Sequence, residues 1–298
     1  MDPQAFPLRK LTSFRIGGAA ERLSFPVTGA EVRDELCRAA DDGFPVRALG
    51  GGKNLLVDDR GVPGLVMSLV GLKQMEFCGA RVVVGAGVPL ATLIHRCAIR
   101  GLAGVEVLAG IPGSVGGAVR MNAGGAHGSI GDRVLLVRGF TSVGEPLRLS
   151  RDDCRFGYRT SALEGTFITD VALELRPSGA DLKGRAREIL KRKRAAQPLA
   201  AATAGCMFKN PQESASGSAG YLLDQVKMKT RAHGGARVSP RHANFIENRG
   251  DATFSDVIAL LAEGRTRVFE RFGIRLSLEV EVWQKEEGKS LLPACRTV

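Results

Sequence analysis

The chain has 298 residues, 44% of them hydrophobic and 24% charged, which excludes wholesale disorder and suffices for about two domains without disulfide staples. It carries 42 Lys and Arg against 31 Asp and Glu, a formal charge of +11, and 38 glycines against 5% aromatics. The charge implies an anionic partner or a basic solvated surface, and the glycines imply tight turns or close backbone approaches.

No run of about 18 apolar residues occurs, so no membrane span is expected. Residues 1–8 lack the apolar core of a signal peptide. The six cysteines, Cys37, Cys78, Cys97, Cys154, Cys206 and Cys295, form no CxxC pair, and the four histidines do not cluster with them. That spacing fits neither a zinc site nor a disulfide framework, so no metal is expected. Free thiols without a signal point to a reducing, cytoplasmic setting.

In chain order, residues 31–42 have helical spacing (Val32, Leu36, Ala39, Ala40), and residues 44–49 read as a strand ending at three glycines. Strands follow at 55–57 and 64–69, separated by the turn Asp58-Asp59-Arg60-Gly61, and another at 81–84. Residues 90–100 form an amphipathic helix with Leu93, Ile94 and Cys97 inward. A second segment opens at Gly110, runs through strands at 133–140 and 166–175, and ends in a basic helix, 182–196, stopped by Gln197-Pro198. The last segment holds a Gly/Ser-rich loop (210–220), a helix start at Tyr221 and a strand at 243–247. A helix over 254–272, with Val257, Leu260, Leu261, Val268 and Phe269 on one face, leads to a strand over 276–283. The polar residues after Trp283 read as a frayed terminus. There is no internal repeat.

Several stretches carry chemistry. Gly50, Gly51 and Gly52, followed by Lys53, Asn54 and Leu55, offer converging N–H groups to a phosphate, or else a tight surface turn. They are not a Rossmann fingerprint, because the spacing differs and a strand follows. Six glycines lie between Gly110 and Gly125, with Ile111, Val115, Val119 and Met121 at buried-looking spacings. That mixture favours a loop hugging a ligand over a linker. Arg159, in the run 156–161, suits a carboxylate or phosphate, or is a surface arginine at a turn. Cys206, Lys209 and Asn210 place a thiol, an ammonium and an amide within five residues, though a lone cysteine is commonly a small buried hydrophobe. Residues 276–282 alternate, with Leu276, Leu278, Val280 and Val282 inward and Glu279 and Glu281 outward. The run Lys191-Arg192-Lys193-Arg194 suits nucleic acid or a solvated helix face. Aromatics are few and no nucleic-acid motif is present.

Taken together, these stretches resemble the UDP-N-acetylenolpyruvoylglucosamine reductases, also called UDP-N-acetylmuramate dehydrogenases. The resemblance runs through residues 11–18, 49–56, 109–125, 156–161, 197–198, 205–211, 237–246 and 276–282. It implies an α+β fold, with a two-part FAD-binding region of the vanillyl-alcohol-oxidase (PCMH) type and a C-terminal α+β substrate-binding domain. The parts would be 1–70, 71–196 and 197–284, with a tail at 285–298. The passage from Ser161 to the 166 strand without a tyrosine-bearing insert resembles the shorter subtype.

The implied activity is reduction of UDP-N-acetylglucosamine enolpyruvate to UDP-N-acetylmuramate, for peptidoglycan, by NADPH through FAD. FAD would meet Gly50, Gly51, Gly52, Lys53, Asn54 and Leu55, then Gly110, Pro112, Gly113, Ser114, Gly116, Gly117, Ala118 and Asn122. Tyr158, Lys209, Asn210 and Gln197 would bind substrate. Arg159 matches the arginine that holds the substrate carboxylate, and Glu279 the glutamate beside it. Cys206 stands where many members carry the serine that protonates C2, and Lys53 where Ser or Thr is common. Lys193 replaces the first arginine of a stretch near the substrate. A thiol is a stronger acid than an alcohol, so Cys206 is read as the general acid. The alternative is a flavin-binding homologue whose reductase step is impaired by that cysteine. A monomer is expected, with no nucleic acid or membrane as partner; FAD, NADPH and a UDP-sugar are themselves anions.

Overall fold

The structure, a computed structural model, describes residues 6–211 and 217–286. The expected frayed tail beyond 286 and part of the 210–220 loop lie outside the described residues. The chain divides into two compact units. One comprises Arg22–Gly51 and Gly64–Ala195; the other comprises Met1–Glu21, Gly52–Pro63 and Ala196–Val298.

The first unit is built on a five-stranded antiparallel sheet in the order Pro146–Ser150, Val134–Phe140, Phe167–Glu174, Arg81–Gly85, Met75–Cys78. Its register sets Leu149, Val137, Val171, Val84 and Met75 in one row across the sheet. Val137, Val171 and Val84 in that row are fully buried. Helices α1 (Gly29–Asp41), α2 (Leu90–Ile99) and α3 (Val115–Arg120) supply Val32, Leu36, Leu93, Val115 and Val119 to the same core. Thr28 starts α1 by accepting from Glu31 N (3.2 Å). Strand Val46–Leu49 pairs in parallel with Val62–Ser68. The predicted strand at 44–49 is therefore shorter, since Phe44 N returns to Ala39 O and closes the end of α1. Helix α4 spans Leu182–Ala196, the predicted basic helix ended by Gln197-Pro198. Lys191, Arg192 and Arg194 are exposed on it, but Lys193 turns inward.

The second unit packs α5 (Ala219–Gln225) and α6 (Phe254–Phe272) with a small antiparallel sheet of Ala232–His233, Ala236–Val238 and Ile246–Asn248. Thr253 and Asp256 form a reciprocal capping box at the start of α6. Gly273 ends α6 in the left-handed region, with φ 69°. Val257, Leu260, Leu261 and Val268 of α6 meet Phe14, Leu56, Phe208 and Leu276 in one core.

Two predicted strands are corrected. Over 276–283 only Glu281–Trp283 is a strand, paired in parallel with Leu55–Val57, while Leu278 makes an isolated bridge to Phe208. Glu279 and Glu281 are half-buried rather than solvated. Over 243–247 the paired strand is Ile246–Asn248, because the preceding residues bond to the 206–208 segment instead. The Gly-rich stretch after Gly110 is not loop throughout, for α3 lies within it.

Among the described residues no helix is long and apolar enough to cross a membrane, and no group of three or more His, Cys, Asp or Glu could hold a metal. The five described cysteines are free. Burial pushes the Cys97 thiol up to about 12 and the Cys154 thiol up to about 11, so both are inert packing groups.

Candidate active site

The predicted site residues fall into both units, and the run from Gly50 to Leu55 is itself divided between Gly51 and Gly52. In the first unit, the turn after strand Val46–Leu49 lies on the residues that open α3. A Cβ on Gly51 would sit 3.2 Å from Gly113 Cα, and one on Gly50 would sit 2.8 Å from Ser114 Oγ. The Ser114 hydroxyl is buried with no hydrogen-bond partner. Backbone bonds hold α3 in place, Val115 N to Val88 O and Gly116 N to Ala86 O, both 2.9 Å. Gly116 is needed there, since a Cβ would come 2.8 Å from that of Ala86. A side-chain-free turn against an orphaned hydroxyl is a cradle that fits a flavin nucleotide.

Asn122 sits at φ 45°, a region asparagine tolerates. Its Nδ2 donates to Gly157 O (2.8 Å), and its Oδ1 accepts from Gly131 N (3.0 Å). Its amide therefore anchors the turn that presents Tyr158 and Arg159. That turn is closed by Gly157 N donating to Thr160 O (3.0 Å). Arg159 is held at φ 53°, a strained position for arginine. Its Nη1 donates to Gly124 O (2.9 Å), and its guanidinium lies 5.7 Å from the exposed Tyr158 ring. Lys193 reaches the same region, for a Cβ on Gly110 would meet its Cδ at 2.9 Å. Burial, and then the charge of Arg159, push the Lys193 ammonium down to about 8.

In the second unit, residues 206–209 run as a strip between two others. On one side Cys206 bridges Phe245, and Met207 N donates to Asn244 O (2.9 Å). On the other, Glu279 N donates to Met207 O (2.8 Å) and Lys209 N to Ser277 O (2.9 Å). The backbone thus sets the Cys206 and Glu279 segments side by side. Asn54 clamps the second side, its Nδ2 donating to Glu279 O (2.9 Å) and its O accepting from Glu281 N (3.1 Å). Lys53 is exposed, and Gly52 packs on Leu11, whose carbonyl a Cβ would meet at 2.1 Å. Leu55 is buried at the start of its strand. Asn210 Oδ1 accepts from Ala219 N (3.0 Å) at the start of α5. Gln197 O accepts from Leu199 N (3.0 Å).

The sequence reading missed Asn244 and Ser13. Asn244, 2% exposed, accepts from Phe208 N (2.9 Å) and donates to Phe208 O (2.8 Å). An asparagine between Ala243 and Phe245 in an apolar run was the available signal. Its neighbour His242 is uncharged at neutral pH, because burial pushes its imidazole down and Nδ1 accepts from Asn244 N (3.2 Å). Ser13 Oγ donates to Thr203 O (2.8 Å) and ties the N-terminal segment to the residues before Cys206. We predict that Asn244→Ala lowers unfolding stability by about 2–4 kcal/mol, since both Phe208 backbone groups lose a buried partner. Denaturant titration measures this; a loss under about 0.5 kcal/mol would contradict the anchoring role.

Two family models match the chain. The FAD binding domain covers residues 20–150, and the UDP-N-acetylenolpyruvoylglucosamine reductase C-terminal domain covers residues 197–283. The fold and the two matches thus define an oxidoreductase of α+β class with an FAD-binding domain. The UDP-N-acetylenolpyruvoylglucosamine reductase 2 of Symbiobacterium thermophilum is 42% identical over 287 residues, covering 94% of this chain and 91% of that protein. The reductase of Syntrophobacter fumaroxidans is 38% identical, covering 95% and 84%. The crystal structure of the reductase from Thermus caldophilus superposes with a TM-score of 0.80 at 37% identity, covering 94% and 98%. The chain belongs to the UDP-N-acetylenolpyruvoylglucosamine reductase family.

Proposed function

We propose that the protein reduces UDP-N-acetylglucosamine enolpyruvate to UDP-N-acetylmuramate at the expense of NADPH, a step of peptidoglycan precursor synthesis, and does so as a monomer of the shorter subtype. The observation that carries this reading is the strip from Cys206 to Lys209, whose backbone bonds set the thiol segment beside the Glu279 segment. In this reading residues 1–70 and 71–196 serve the flavin and 197–284 the substrate. Gly50, Gly51, Gly113, Ser114 and Gly117, together in the first unit, would hold FAD, and Gly52, Lys53 and Asn54 are the further cofactor contacts that the resemblance implies.

FAD, when bound, would supply the two-electron redox chemistry that links NADPH to reduction of the enolpyruvyl group at C3. As C3 gains hydride, the π electrons move to C2 and the attached carboxylate. Arg159 grips that carboxylate and stabilises the charge developing on it. Cys206 donates its proton to C2, giving the saturated ether, and regains a proton from water before the next turnover. Glu279 sits beside this transfer and orients the reacting end of the substrate. Tyr158, Lys209, Asn210 and Gln197 bind the rest of the sugar nucleotide.

The test is NADPH consumption by the FAD-loaded protein with and without the enolpyruvyl sugar nucleotide. Consumption that depends on that substrate supports the reading. Flavin reduction without it, and no turnover when it is added, would instead favour a homologue impaired by Cys206. A chain that cannot be loaded with FAD would sink both.

Lys193 adds a pH dependence. Its ammonium, pushed down to about 8, loses its charge as pH rises through that value. The grip on an anion beside Arg159 then weakens. For the wild type kcat/KM is expected to fall about tenfold per pH unit above the Lys193 pKa, because the free enzyme must carry that proton. A thiol general acid ordinarily loses its proton in the same pH range, so the comparison is made in a Cys206→Ser background: there Lys193→Arg keeps the charge and should remove this limb, and identical profiles with and without Lys193→Arg would reject it.

A further inference from the structure

A basic cavity lies in the first unit, about 220 Å³ in volume. Its ionisable lining is Glu106, His127, Asp132, Arg133, Arg176 and Arg185. These three guanidiniums face two carboxylates, and both carboxylates are already engaged. Glu106, 4% exposed, accepts from Gly104 N and pairs with Arg185 at 3.3 Å. Asp132 accepts from Ser129 N (2.8 Å) in a capping box.

Arg133 and Arg176 have no carboxylate partner among the described residues, and Arg133 Nε is buried without an acceptor. Arg133 is packed in place: Gly104, at φ 131°, would bring a Cβ within 2.7 Å of that Nε. Arg176 stands on a paired backbone, opposite Ala103. An orphaned buried guanidinium N–H beside a second unpaired guanidinium is costly unless an anion meets them.

We propose that this cavity is an anion site for a phosphate or pyrophosphate group, distinct from the region of Arg159 and Lys193. Arg185 and Lys193 lie eight residues apart on α4, a separation of about 12 Å along its axis. The guanidinium forks match phosphoryl oxygens two at a time. The volume holds a diphosphate but not a whole nucleotide, so a nucleotide would enter by its phosphates alone. The proposal rests on the lining residues and not on the reductase reading.

The experiment is calorimetric titration of the FAD-loaded protein with inorganic pyrophosphate and, separately, with ADP. Arg176→Gln changes an exposed side chain with no partner and should fold normally; Arg133→Gln removes the buried donor. Each should weaken pyrophosphate binding about tenfold, the loss expected for a charge-assisted bond. Lys193→Gln should leave it unchanged. Pyrophosphate binding alone assigns the free ion, and equal sensitivity with ADP assigns a nucleotide-borne diphosphate. No binding, or binding lost in Lys193→Gln but kept in a folded Arg176→Gln, overturns the proposal.

Discussion

Cys206→Ala is expected to slow oxidation of the reduced flavin by the enolpyruvyl substrate by about 10²–10⁴-fold, the usual worth of a positioned general acid. Flavin reduction by NADPH should stay within about twofold of wild type, because that half-reaction needs no proton at C2. Cys206→Ser should retain turnover, since a hydroxyl at the same place can donate. The strip holding Cys206 is fixed by the backbone groups of Met207 and Lys209, which neither substitution alters. Rapid mixing separates the two half-reactions. Equal reoxidation rates in all three proteins would take Cys206 out of the mechanism. A thiol also brings a liability that a hydroxyl lacks, as it can be oxidised to a sulfenic acid and lose its donor proton.

Arg159→Ala should slow the same reoxidation step by about 10²–10³-fold, as loss of one preorganised donor to a developing anion does elsewhere. Arg159→Lys should recover only part of this, because an ammonium lacks the bidentate fork. The left-handed backbone at Arg159 supplies a control. Arg159→Gly removes the side chain while relieving strain of about 1–3 kcal/mol, so its fold should be at least as stable as wild type. If Arg159→Gly is stable and reoxidises at the wild-type rate, the proposed role is wrong. If all three variants unfold, the bond from Nη1 to Gly124 O is structural first.

Helices were the legible part of the fold. The range of α4 follows from the Gln197-Pro198 stop and that of α6 from its apolar spacing, and Gly273 ends α6 as locally as Pro198 ends α4. Both signals act within a few residues, so the chain announces them locally. The strand over 276–283 was less legible. Alternation says that one side of the segment is buried, but not which neighbours pair with it. Here the partners are two short segments far away in sequence, Leu55–Val57 and the strip at 206–209, and the pairing changes between them. Helix α3 was hidden for a different reason: two of its six residues are glycine, which costs about 1 kcal/mol each relative to Ala. Packing on Ala86 and Val88 overrides that propensity.

At the site, the residues carrying family chemistry stood out by resemblance, whereas those holding them did not. Asn244 and Asn122 work through bonds to backbone carbonyls and amides at Phe208, Gly157 and Gly131. Such bonds leave no periodicity. Only the tertiary arrangement reveals that Asn122, expected against the cofactor, spends its amide on the Arg159 turn.

The division of the chain has a kinetic consequence. Residues 22–51 and 64–195 complete one unit, and nearly all of them leave the ribosome before the other unit can close. That second unit needs Leu55–Val57 to find Glu281–Trp283, some 226 residues later. Contacts of such long sequence separation form slowly, since loop closure must precede them. During synthesis the strand at Leu55–Val57 therefore waits with an unpaired edge, and nascent chains that stop short of residue 281 are the species most exposed to aggregation or to capture by chaperones.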